Sequence, residues 1–510
     1  MPHSNAETAG TAGTARAGGA AETARADLAV VGAGPAGLAA AVTAADLGLS
    51  VVLLDAGAGP GGQYYRRPAA GLGAARPQAL HHDWTAFTTR LRRLRDHEAA
   101  RRVTCLTGTH VWTVLPGHGH DHGTGPGDGD GTGAAGGDRR GVGGASWTLH
   151  ARTTRDGEDT ATTVTARAVL LATGAYERQL PFPGWTLPGV LGAGGAQAML
   201  KSGLVLPGRR VVVAGSGPLL LAVAASLASA GARVPAVVEA GAYTAYSGHA
   251  PTLLRNPAKL LEAARFGAAL ARHHTRLLTR HAVVAAHGTD RVEAVTVARL
   301  DRDWRPLPGT ARRVPCDAVA VGHGLVPELS LATALGCATR QSPDGTVALA
   351  LSDDQRTSVP GIWAAGETGG IGGAQLALVE GELAARAIAG AAPGTLASLG
   401  RRRDRLRAFA AAMAAAHRPG EGWTDWLRAD TDVCRCEEVS VGAVREAAGE
   451  LGAHDARTVK LLTRAGMGWC QGRMCGPAVA ALCGAGAAPD RRPLACPVPL
   501  RHLARLPEES

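Results

Sequence analysis

The sequence predicts an α/β protein with two units of the strand, glycine loop and helix type, followed by a small helical domain near the C-terminal end. Three observations lead to this fold class. One glycine loop follows a buried-strand pattern near the front of the chain, a second lies near its middle, and four cysteines form two local pairs close to its end. A chain of 510 residues is also too long for one hydrophobic core, so several domains are expected.

The first unit has the pattern of a dinucleotide-binding site. A buried strand over Leu28–Val31 leads into the segment GAGPAG at 32–37, and an alanine-rich helix follows. Gly32 makes the tight turn, Gly34 admits a pyrophosphate to the helix N-terminus, and Gly37 allows the helix to pack closely on the strand. The ordered series of strand, loop and helix is more specific than the glycines alone.

An acidic residue completes this unit. The next strand, Val51–Leu54, ends at Asp55, where a carboxylate can meet a ribose 2′-hydroxyl and disfavours a 2′-phosphate. The residues predicted to bind a dinucleotide in this unit are Gly32, Gly34, Pro35, Ala36, Gly37 and Asp55.

Three further segments have the small residues of nucleotide-binding turns. Gly61-Gly62-Gln63 comes soon after Asp55, and a buried strand much later ends at Thr173-Gly174. Another strand ends at Gly366-Glu367, before a helix that begins near Ala374.

The second unit lies between these segments. A strand over Val211–Ala214 leads into the loop Gly215–Leu220, and a second strand ends at Glu239. Leu220 replaces the third glycine, so we expect the helix to be held away from the strand and the phosphate site to be reshaped. Pro235, placed within the predicted second strand, indicates an edge position or a bulge. The unit is interpreted as a retained scaffold that binds another nucleotide or none, with an NAD(P) site as the alternative.

Four cysteines indicate a metal centre in the C-terminal part. They are Cys434 and Cys436 in one pair and Cys470 and Cys475 in the other. Two local pairs can converge on a [2Fe-2S] cluster if the intervening segment folds back, and helical spacing after a predicted N-cap at Ser440 allows this. The spacing alone fits a structural zinc ion equally well. Disulfides rank third, because nothing indicates an oxidising compartment.

The order of these motifs resembles the flavoprotein superfamily with two dinucleotide-binding domains, which has a Rossmann-like fold of glutathione-reductase type. In that superfamily the last turn brings an acidic residue and a helix N-terminus to the ribityl chain and pyrophosphate of FAD. Asp is usual at that turn, whereas this chain has Glu367, one methylene longer. The resemblance implies FAD as the cofactor and adds these residues to its site: Gly61, Gly62, Gln63, Thr173, Gly174, Gly366 and Glu367.

A closer resemblance is to the large flavoprotein subunits of opine oxidases, hydrogen cyanide synthase and related amino-acid dehydrogenases. It covers roughly 27–500 and rests on VVGAGPAGLAAA at 30–41, GGQYYR at 61–66, LATGAYERQLPFPGW at 171–185, VAGSGPLLLAVA at 213–224, and the segments CRCEEV and WCQGRMCG around the cysteines. The resemblance favours [2Fe-2S] over zinc.

This resemblance also implies a division of labour. The amine or imino acid is oxidised on a second FAD-containing dehydrogenase subunit, while this chain relays electrons. Some of the complexes are completed by a small ferredoxin-like subunit. The alternative is a self-sufficient NAD(P)H-dependent reductase of the flavin or ferredoxin type. A zinc-binding module with a vestigial flavin site is a third hypothesis.

Catalytic side chains are not assigned, because the isoalloxazine ring carries flavin chemistry. Tyr176, Glu177 and Arg178 are interpreted as an ordinary polar loop, with contact to the flavin as the alternative. Thiol-disulfide reductases of this architecture carry a Cys-x-x-Cys pair, whereas Cys105, Cys316 and Cys337 are isolated from one another. Disulfide reductase activity is therefore disfavoured.

Composition limits the partners. The formal net charge is +10, but no basic patch with interleaved aromatic residues occurs, so a nucleic-acid partner is not expected. Residues 1–26 lack the apolar core of a secretory signal, and later apolar runs are too short to cross a bilayer. We expect a cytoplasmic protein without a transmembrane segment, whose only association with a membrane would come through its partners.

The expected organisation follows the chain. It consists of a disordered tail over 1–26, an FAD domain in two segments at 27–206 and 310–392 with a disordered loop at 116–145, a second NAD(P)-binding-like domain at 207–309, a helical linker at 393–430, a [2Fe-2S] domain at 431–484 and a C-terminal tail at 485–510.

Overall fold

Two sheets, each with parallel strands beside one of the glycine loops, form the body of the protein. The computed structural model describes residues 22–81, 83–117, 146–155, 157–486, 492–504 and 506. The predicted α/β class is confirmed, since the strands of both sheets alternate with helices.

The strands of the described residues are β1 (Glu22–Val31), β2 (Val51–Leu54), β3 (Val103–Leu106), β4 (Thr109–Pro116), β5 (Trp147–Arg155), β6 (Glu158–Leu171), β7 (Ala175–Glu177), β8 (Val190–Gly192), β9 (Val211–Gly215), β10 (Ala236–Glu239), β11 (Arg276–Thr279), β12 (His281–His287), β13 (Ala294–Arg299), β14 (Arg312–Pro315), β15 (Ala318–Gly322), β16 (Leu325–Pro327), β17 (Thr339–Gln341), β18 (Val347–Leu349), β19 (Ile362–Ala364), β20 (Asp432–Cys434) and β21 (Val439–Ser440).

The helices are α1 (Pro35–Asp46), α2 (Trp84–Ala99), α3 (Ala193–Gly203), α4 (Leu219–Ser229), α5 (Ala250–Leu254), α6 (Pro257–Arg272), α7 (Ser330–Ala334), α8 (Ala374–Ile388), α9 (Pro393–Ala416), α10 (Val441–Gly449), α11 (Ala456–Thr463), α12 (Gly476–Leu482) and α13 (Leu500–Leu503).

The first sheet has the strand order β3-β2-β1-β6-β5-β4, and β19 also pairs with β6. The strands β3, β2, β1, β6 and β19 run parallel, while β5 and β4 form an antiparallel extension. Parallel strands end at one edge of a sheet, so the predicted binding turns meet there. Helices α1 and α8 pack closely, since a Cβ atom at Gly381 would lie 2.1 Å from the Ala36 carbonyl oxygen.

The second sheet is wholly parallel, with the order β11-β10-β9-β15-β8. The antiparallel pair of β7 and β16 lies where the chain crosses between the two sheets. The expectation for Pro235 was wrong. Strand β10 begins one residue later, at Ala236, and is central. The Pro235 carbonyl accepts from the Arg276 N–H of β11 at 3.4 Å, but its missing N–H falls before β10, so the proline needs neither an edge nor a bulge.

The four cysteines belong to a small unit of β20, β21 and helices α10 to α12. Ser440 caps α10 as predicted, with its hydroxyl accepting from the Ala443 N–H at 3.3 Å. Val441, Val444 and Val459 are fully buried in its core.

Aromatic side chains join this unit to the second sheet. After α9, Trp426 stacks on Trp304 with ring centroids 6.2 Å apart, and its Nε1 donates to the Trp304 carbonyl at 3.0 Å. Trp185 Nε1 donates to the Asp432 carbonyl at 2.6 Å, directly before Val433 and Cys434.

The expected ends of the irregular segments differ in part. Residues 22–26 belong to β1, where they pair with β6 from Thr162 to Ala166, and the inward side chains are only Ala24 and Ala26. Alanine is a weak strand signal, which is why these residues were expected in the tail. Residues 1–21 and 118–145, where the rest of the predicted tail and loop falls, lie outside the described residues. No helix in the described ranges is long and apolar enough to cross a membrane.

Candidate functional site

The first glycine loop lies at the carboxyl edge of the first sheet. Gly32 donates to the Leu54 carbonyl at 2.7 Å and packs so closely on the neighbouring strand that a Cβ atom would lie 2.3 Å from the Ala172 oxygen. A Cβ atom at Gly34, in contrast, would have nothing within 4 Å. Helix α1 begins at Pro35 with no side-chain cap and no acidic residue in its first turn. Its N-terminus therefore faces open space and suits an anionic group such as a pyrophosphate.

Asp55 organises this loop. Its carboxylate accepts from the Ala33 N–H at 2.5 Å and from the Gly57 N–H at 2.7 Å, and the side chain remains half-buried. The acid thus lies beside the glycine turn with one edge accessible, which is the position needed to meet a ribose hydroxyl.

The Gly61–Gly62 turn lies against the glycine loop. The Gly61 N–H donates to the Ala33 carbonyl at 2.7 Å, and a Cβ atom at Gly62 would lie 2.8 Å from the Gly34 Cα. Gln63 is oriented differently, because its amide oxygen accepts from Arg66 at 3.0 and 2.5 Å on the exposed side.

The structure also brings the later turns to this crevice. The Thr173 hydroxyl donates to the Glu328 carbonyl at 2.7 Å, and the Glu328 N–H donates to the Gly174 carbonyl at 3.0 Å. A Cβ atom at Gly366 would lie 3.0 Å from the Ala36 Cβ, so this turn borders the start of α1.

Glu367 folds onto its own loop. Its two carboxylate oxygens accept from the N–H groups of Gly372 at 2.7 Å and Gly373 at 2.9 Å, immediately before α8. Burial raises the pKa of Glu367, and these two hydrogen bonds oppose the shift. The longer side chain therefore orders the N-terminal approach to α8.

The four cysteines come together from two directions. Cys434 and Cys475 are close neighbours, and so are Cys436 and Cys470. Burial and the neighbouring Cys434 raise the pKa of the Cys475 thiol. In the described part of the chain, no group of three or more His, Cys, Asp or Glu side chains is arranged around a single ion position. The thiols are instead arranged as two adjacent pairs.

Glycines crowd against these sulfur ligands. The Gly466 N–H donates to Cys434 Sγ at 3.5 Å, and a Cβ atom at Gly468 would lie 2.3 Å from the Cys436 Cβ. Four thiols with a backbone N–H directed at one of them match the chemistry of an iron–sulfur ligand set.

The segment from Cys470 to Cys475, called the cysteine loop below, is attached to the end of β16. Strands β7 and β16 are called the crossing strands below. Arg473 lies between Cys470 and Cys475, and its Nε donates to Glu328 Oε2 at 2.5 Å. Because the Glu328 backbone holds the Thr173-Gly174 turn, the cysteine loop and that turn share one residue as a partner.

In the second unit the corresponding acidic residue, Glu239, is covered by other residues of the chain. Glu239 accepts from the N–H groups of Gly217 at 3.0 Å and Gly241 at 2.8 Å, and it is 1% exposed. His417, directly after α9, places Nδ1 3.5 Å from the Glu239 carboxylate and 3.2 Å from the Ser216 hydroxyl. The chain itself therefore occupies the place where a ribose hydroxyl would meet the acid.

Leu220 changes the start of the neighbouring helix. Helix α4 begins at Leu219, two residues after the second glycine of its loop, whereas α1 begins directly after Gly34. Leu220 is fully buried among Val211, Val213 and other side chains of the core.

Two of the polar residues after Gly174, Glu177 and Arg178, contact other parts of the chain. Glu177 accepts from the Gly194 N–H at 2.7 Å at the N-terminus of α3, and Arg178 pairs with Asp344 at 2.7 Å. Burial raises the pKa of Tyr176 to about 12. The interpretation as an ordinary polar loop was wrong, because Tyr176 and Glu177 lie in β7, paired with β16, and Arg178 is buried.

Sequence reasoning did not single out Arg473, Glu328, His417 or Tyr246, whose hydroxyl is hydrogen-bonded to His417 Nε2. The position of Arg473 between two cysteines was the one available signal. The other three belong to none of the motifs, and no spacing in the sequence indicates their contacts.

Comparison with known proteins agrees with this geometry. The chain matches the pyridine nucleotide-disulphide oxidoreductase family over residues 26–381 and the BFD-like [2Fe-2S] binding domain over residues 433–483. All four cysteines fall within the second match. The two matches imply FAD and a [2Fe-2S] cluster, which confirms both predicted cofactors.

Relatives of similar length are enzyme subunits. The hydrogen cyanide synthase subunit HcnB of Pseudomonas aeruginosa is 36% identical over 457 residues, which cover 88% of this chain and 90% of that protein. An opine oxidase subunit of Rhizobium meliloti strain 1021 is 33% identical over 474 residues, covering 89% of this chain and 92% of that protein. The predicted resemblance is confirmed.

A solved structure shows the same fold. The L-proline dehydrogenase from P. horikoshii superposes with a TM-score of 0.62 at 20% identity, over 96% of this chain and 81% of that one. The chain thus belongs to the pyridine nucleotide-disulphide oxidoreductase family, as a flavin oxidoreductase with a BFD-like [2Fe-2S] domain and relatives among the subunits of multi-subunit enzymes.

Proposed function

We propose that this chain is the electron-transferring subunit of a multi-subunit amino-acid or opine dehydrogenase. A second FAD-containing dehydrogenase subunit would oxidise the CH–NH donor, and a small ferredoxin-like subunit would complete the complex. The bound flavin and cluster supply the redox chemistry, while this chain binds and orients them. The subunit nature of the relatives supports the proposal.

We assign the cofactors to the predicted residues. The FAD pyrophosphate would lie at the open N-terminus of α1 and its ribose at Asp55, with the other proposed contacts at Gly32, Gly34, Pro35, Ala36, Gly37, Gly61, Gly62, Gln63, Thr173, Gly174, Gly366 and Glu367. The proposed cluster ligands are Cys434, Cys436, Cys470 and Cys475. All nine cysteines are free, as in a protein of the cytoplasm, which is the compartment that we propose.

One observation carries the choice of a relay over a self-sufficient reductase. The two acids that end the second strand of each unit are equivalent, yet Asp55 is accessible while Glu239 is covered by His417. A dinucleotide could reach Glu239 only by displacing His417 and its contacts to Ser216 and Tyr246. Reducing equivalents are therefore proposed to arrive from the partner subunit.

The alternative, an NAD(P)H-dependent flavin or ferredoxin-type reductase, has one observation in its favour. Gly217 keeps the open approach of a phosphate-binding turn, because a Cβ atom there would have nothing within 4 Å. The two functions differ in a simple measurement, the reduction of the flavin by NADH.

The test uses the full chain purified anaerobically with its cofactors. We expect NADH to leave the flavin absorbance unchanged, and we expect bleaching once the second flavoprotein and its amine substrate are added. Rapid bleaching by NADH alone would contradict the relay.

A variant of His417 tests whether this residue keeps a dinucleotide away from Glu239. His417→Ala uncovers Glu239 and leaves the first unit untouched, so the affinity for NADH should rise by about tenfold or more, measured by calorimetry against the wild-type chain. Equal, undetectable binding in both proteins would mean that His417 is not what excludes the dinucleotide.

A further inference from the structure

Arg473 is a charged connection between the cysteine loop and the flavin unit. It lies between two proposed cluster ligands, and its guanidinium reaches outside the cysteine unit. Nε donates to Glu328 Oε2 at 2.5 Å, and one terminal nitrogen donates to the Ala495 carbonyl at 2.8 Å and the Ser330 hydroxyl at 3.3 Å. The other terminal nitrogen donates back to the Cys470 carbonyl at 3.4 Å.

Glu328 provides the opposite half of the connection. Its backbone exchanges hydrogen bonds with Thr173 and Gly174, the turn at the end of β6 that is proposed to border the flavin. Its carboxylate is held ready for Arg473, because Oε1 also accepts from the Ser330 N–H at 3.0 Å. A displacement of the cysteine loop would therefore also displace Glu328 and the Thr173-Gly174 turn.

The ion pair between Arg473 and Glu328 is partly buried. The side chains of Arg473 and Glu328 are 25% and 21% exposed, whereas Arg464, which pairs with Glu437 inside the cysteine unit, is 68% exposed. Among the ion pairs of the described residues, the one between Arg473 and Glu328 joins the cysteine unit to the crossing strands. A partly buried guanidinium–carboxylate pair has a preferred geometry, and the other N–H groups of this guanidinium are also hydrogen-bonded. Such a pair can fix the distance between the two segments that it joins.

We propose that Arg473 is a positioning residue whose pair with Glu328 fixes the distance between the flavin and the iron–sulfur cluster. This rests on the proposed function, in which electrons pass between the two cofactors. In that passage one electron would leave the reduced flavin and would be taken up by one iron of the cluster, with the flavin bordered by the Thr173-Gly174 turn and the cluster held by the four cysteines. Arg473 takes no part in the redox chemistry and acts through the placement of the cysteine loop.

The test compares Arg473→Ala and Glu328→Gln with the wild-type holoprotein, and Arg464→Ala is the matched control. Iron and flavin contents, the electron paramagnetic resonance signal of the reduced cluster and hydrogen exchange over 466–476 are measured first. We expect unchanged cofactor contents in all variants, with faster exchange over 466–476 in Arg473→Ala and Glu328→Gln only.

The second readout is the rate of cluster reduction after the flavin is photoreduced in the presence of EDTA. We expect this rate to fall about tenfold or more in Arg473→Ala and Glu328→Gln, to be partly restored in Arg473→Lys, and to be unchanged in Arg464→Ala. Wild-type rates in both variants would overturn the proposal, and so would loss of iron from Glu328→Gln, which would indicate a role in cluster assembly. Failure of the wild-type cluster to accept electrons would instead overturn the proposed function.

Discussion

At the scale of single residues, two glycines of the same loop have different requirements. A Cβ atom at Gly37 would lie 1.8 Å from the Gly32 carbonyl oxygen and 3.1 Å from Val30 Cγ1, so this glycine is required by helix–strand packing. A Cβ atom at Gly34 meets nothing within 4 Å, so this glycine is not required by the fold. The open space beside Gly34 is the proposed place of the pyrophosphate.

This contrast gives a paired prediction. Gly37→Ala should lower the free energy of unfolding by about 1–3 kcal/mol, because backbone must shift to admit the methyl group. Gly34→Ala should leave apoprotein stability within about 0.5 kcal/mol of wild type and weaken FAD binding. Thermal unfolding of the apoproteins and titration with FAD check both. Equal FAD affinity in Gly34→Ala and wild type would mean that the cofactor does not approach this glycine.

At the scale of elements, helix α9 and the segment with Trp423 and Trp426 after it join the two glycine-loop units and the cysteine unit. Arg407 of α9 donates to the Gly370 carbonyl at 2.6 Å beside the first unit, and His417 covers Glu239 in the second. A run of arginines such as that at 401–407 commonly forms a solvated face. Arg401, Arg402 and Arg405 are exposed in this way, while Arg403 and Arg407 contact other parts of this chain.

Trp304 and Trp426 lie beside a buried histidine, His323, which should make the stability of the protein depend on pH. His323 is 3% exposed, lies about 6 Å from the rings of Trp304 and Trp426, and has no hydrogen-bond partner at Nδ1. Burial, with a smaller effect of the Arg178 charge, lowers the pKa of His323 from 6.5 to about 3. The unfolded chain therefore binds a proton below pH 6.5 that the folded chain does not bind.

We expect His323 to cost stability as the pH falls from 6.5 towards 3, by about 1.4 kcal/mol for each pH unit, and to have no effect above pH 6.5. His323→Phe keeps an aromatic ring and removes the titration, so its stability curve should be flatter between those values. Denaturant unfolding at pH 7, 6 and 5 measures the difference. Parallel curves for the two proteins would show that the folded protein protonates this histidine normally.

At the scale of the whole molecule, local pattern was enough to predict the units but not their contacts. The loop at 32–37, Asp55 and the Ser440 cap depend on neighbours within about twenty residues, and the sequence predicted each position. Arg473 and Glu328 are 145 residues apart and the Ser216–His417 contact spans 201, so no periodicity or spacing indicates either one. Such pairs depend on how sheets and linker pack, which a single sequence does not encode locally.

The separate cores lead to a prediction about independence of the cofactors. Val441, Val444 and Val459 pack within the core that surrounds the cysteines, whereas Leu28 and Leu38 belong to another core beneath the first glycine loop. Cys470→Ser should therefore abolish the iron content and the cluster signal, while flavin remains bound at the wild-type ratio. Cys483→Ser is the control, because Cys483 lies in the same unit outside the four-ligand pattern, and its thiol donates to the Ala480 carbonyl at 3.4 Å. Metal analysis and the flavin spectrum of both variants check the prediction. If Cys470→Ser lost flavin together with iron, the cofactors would depend on each other through the Arg473 contact, and the two units would not fold independently.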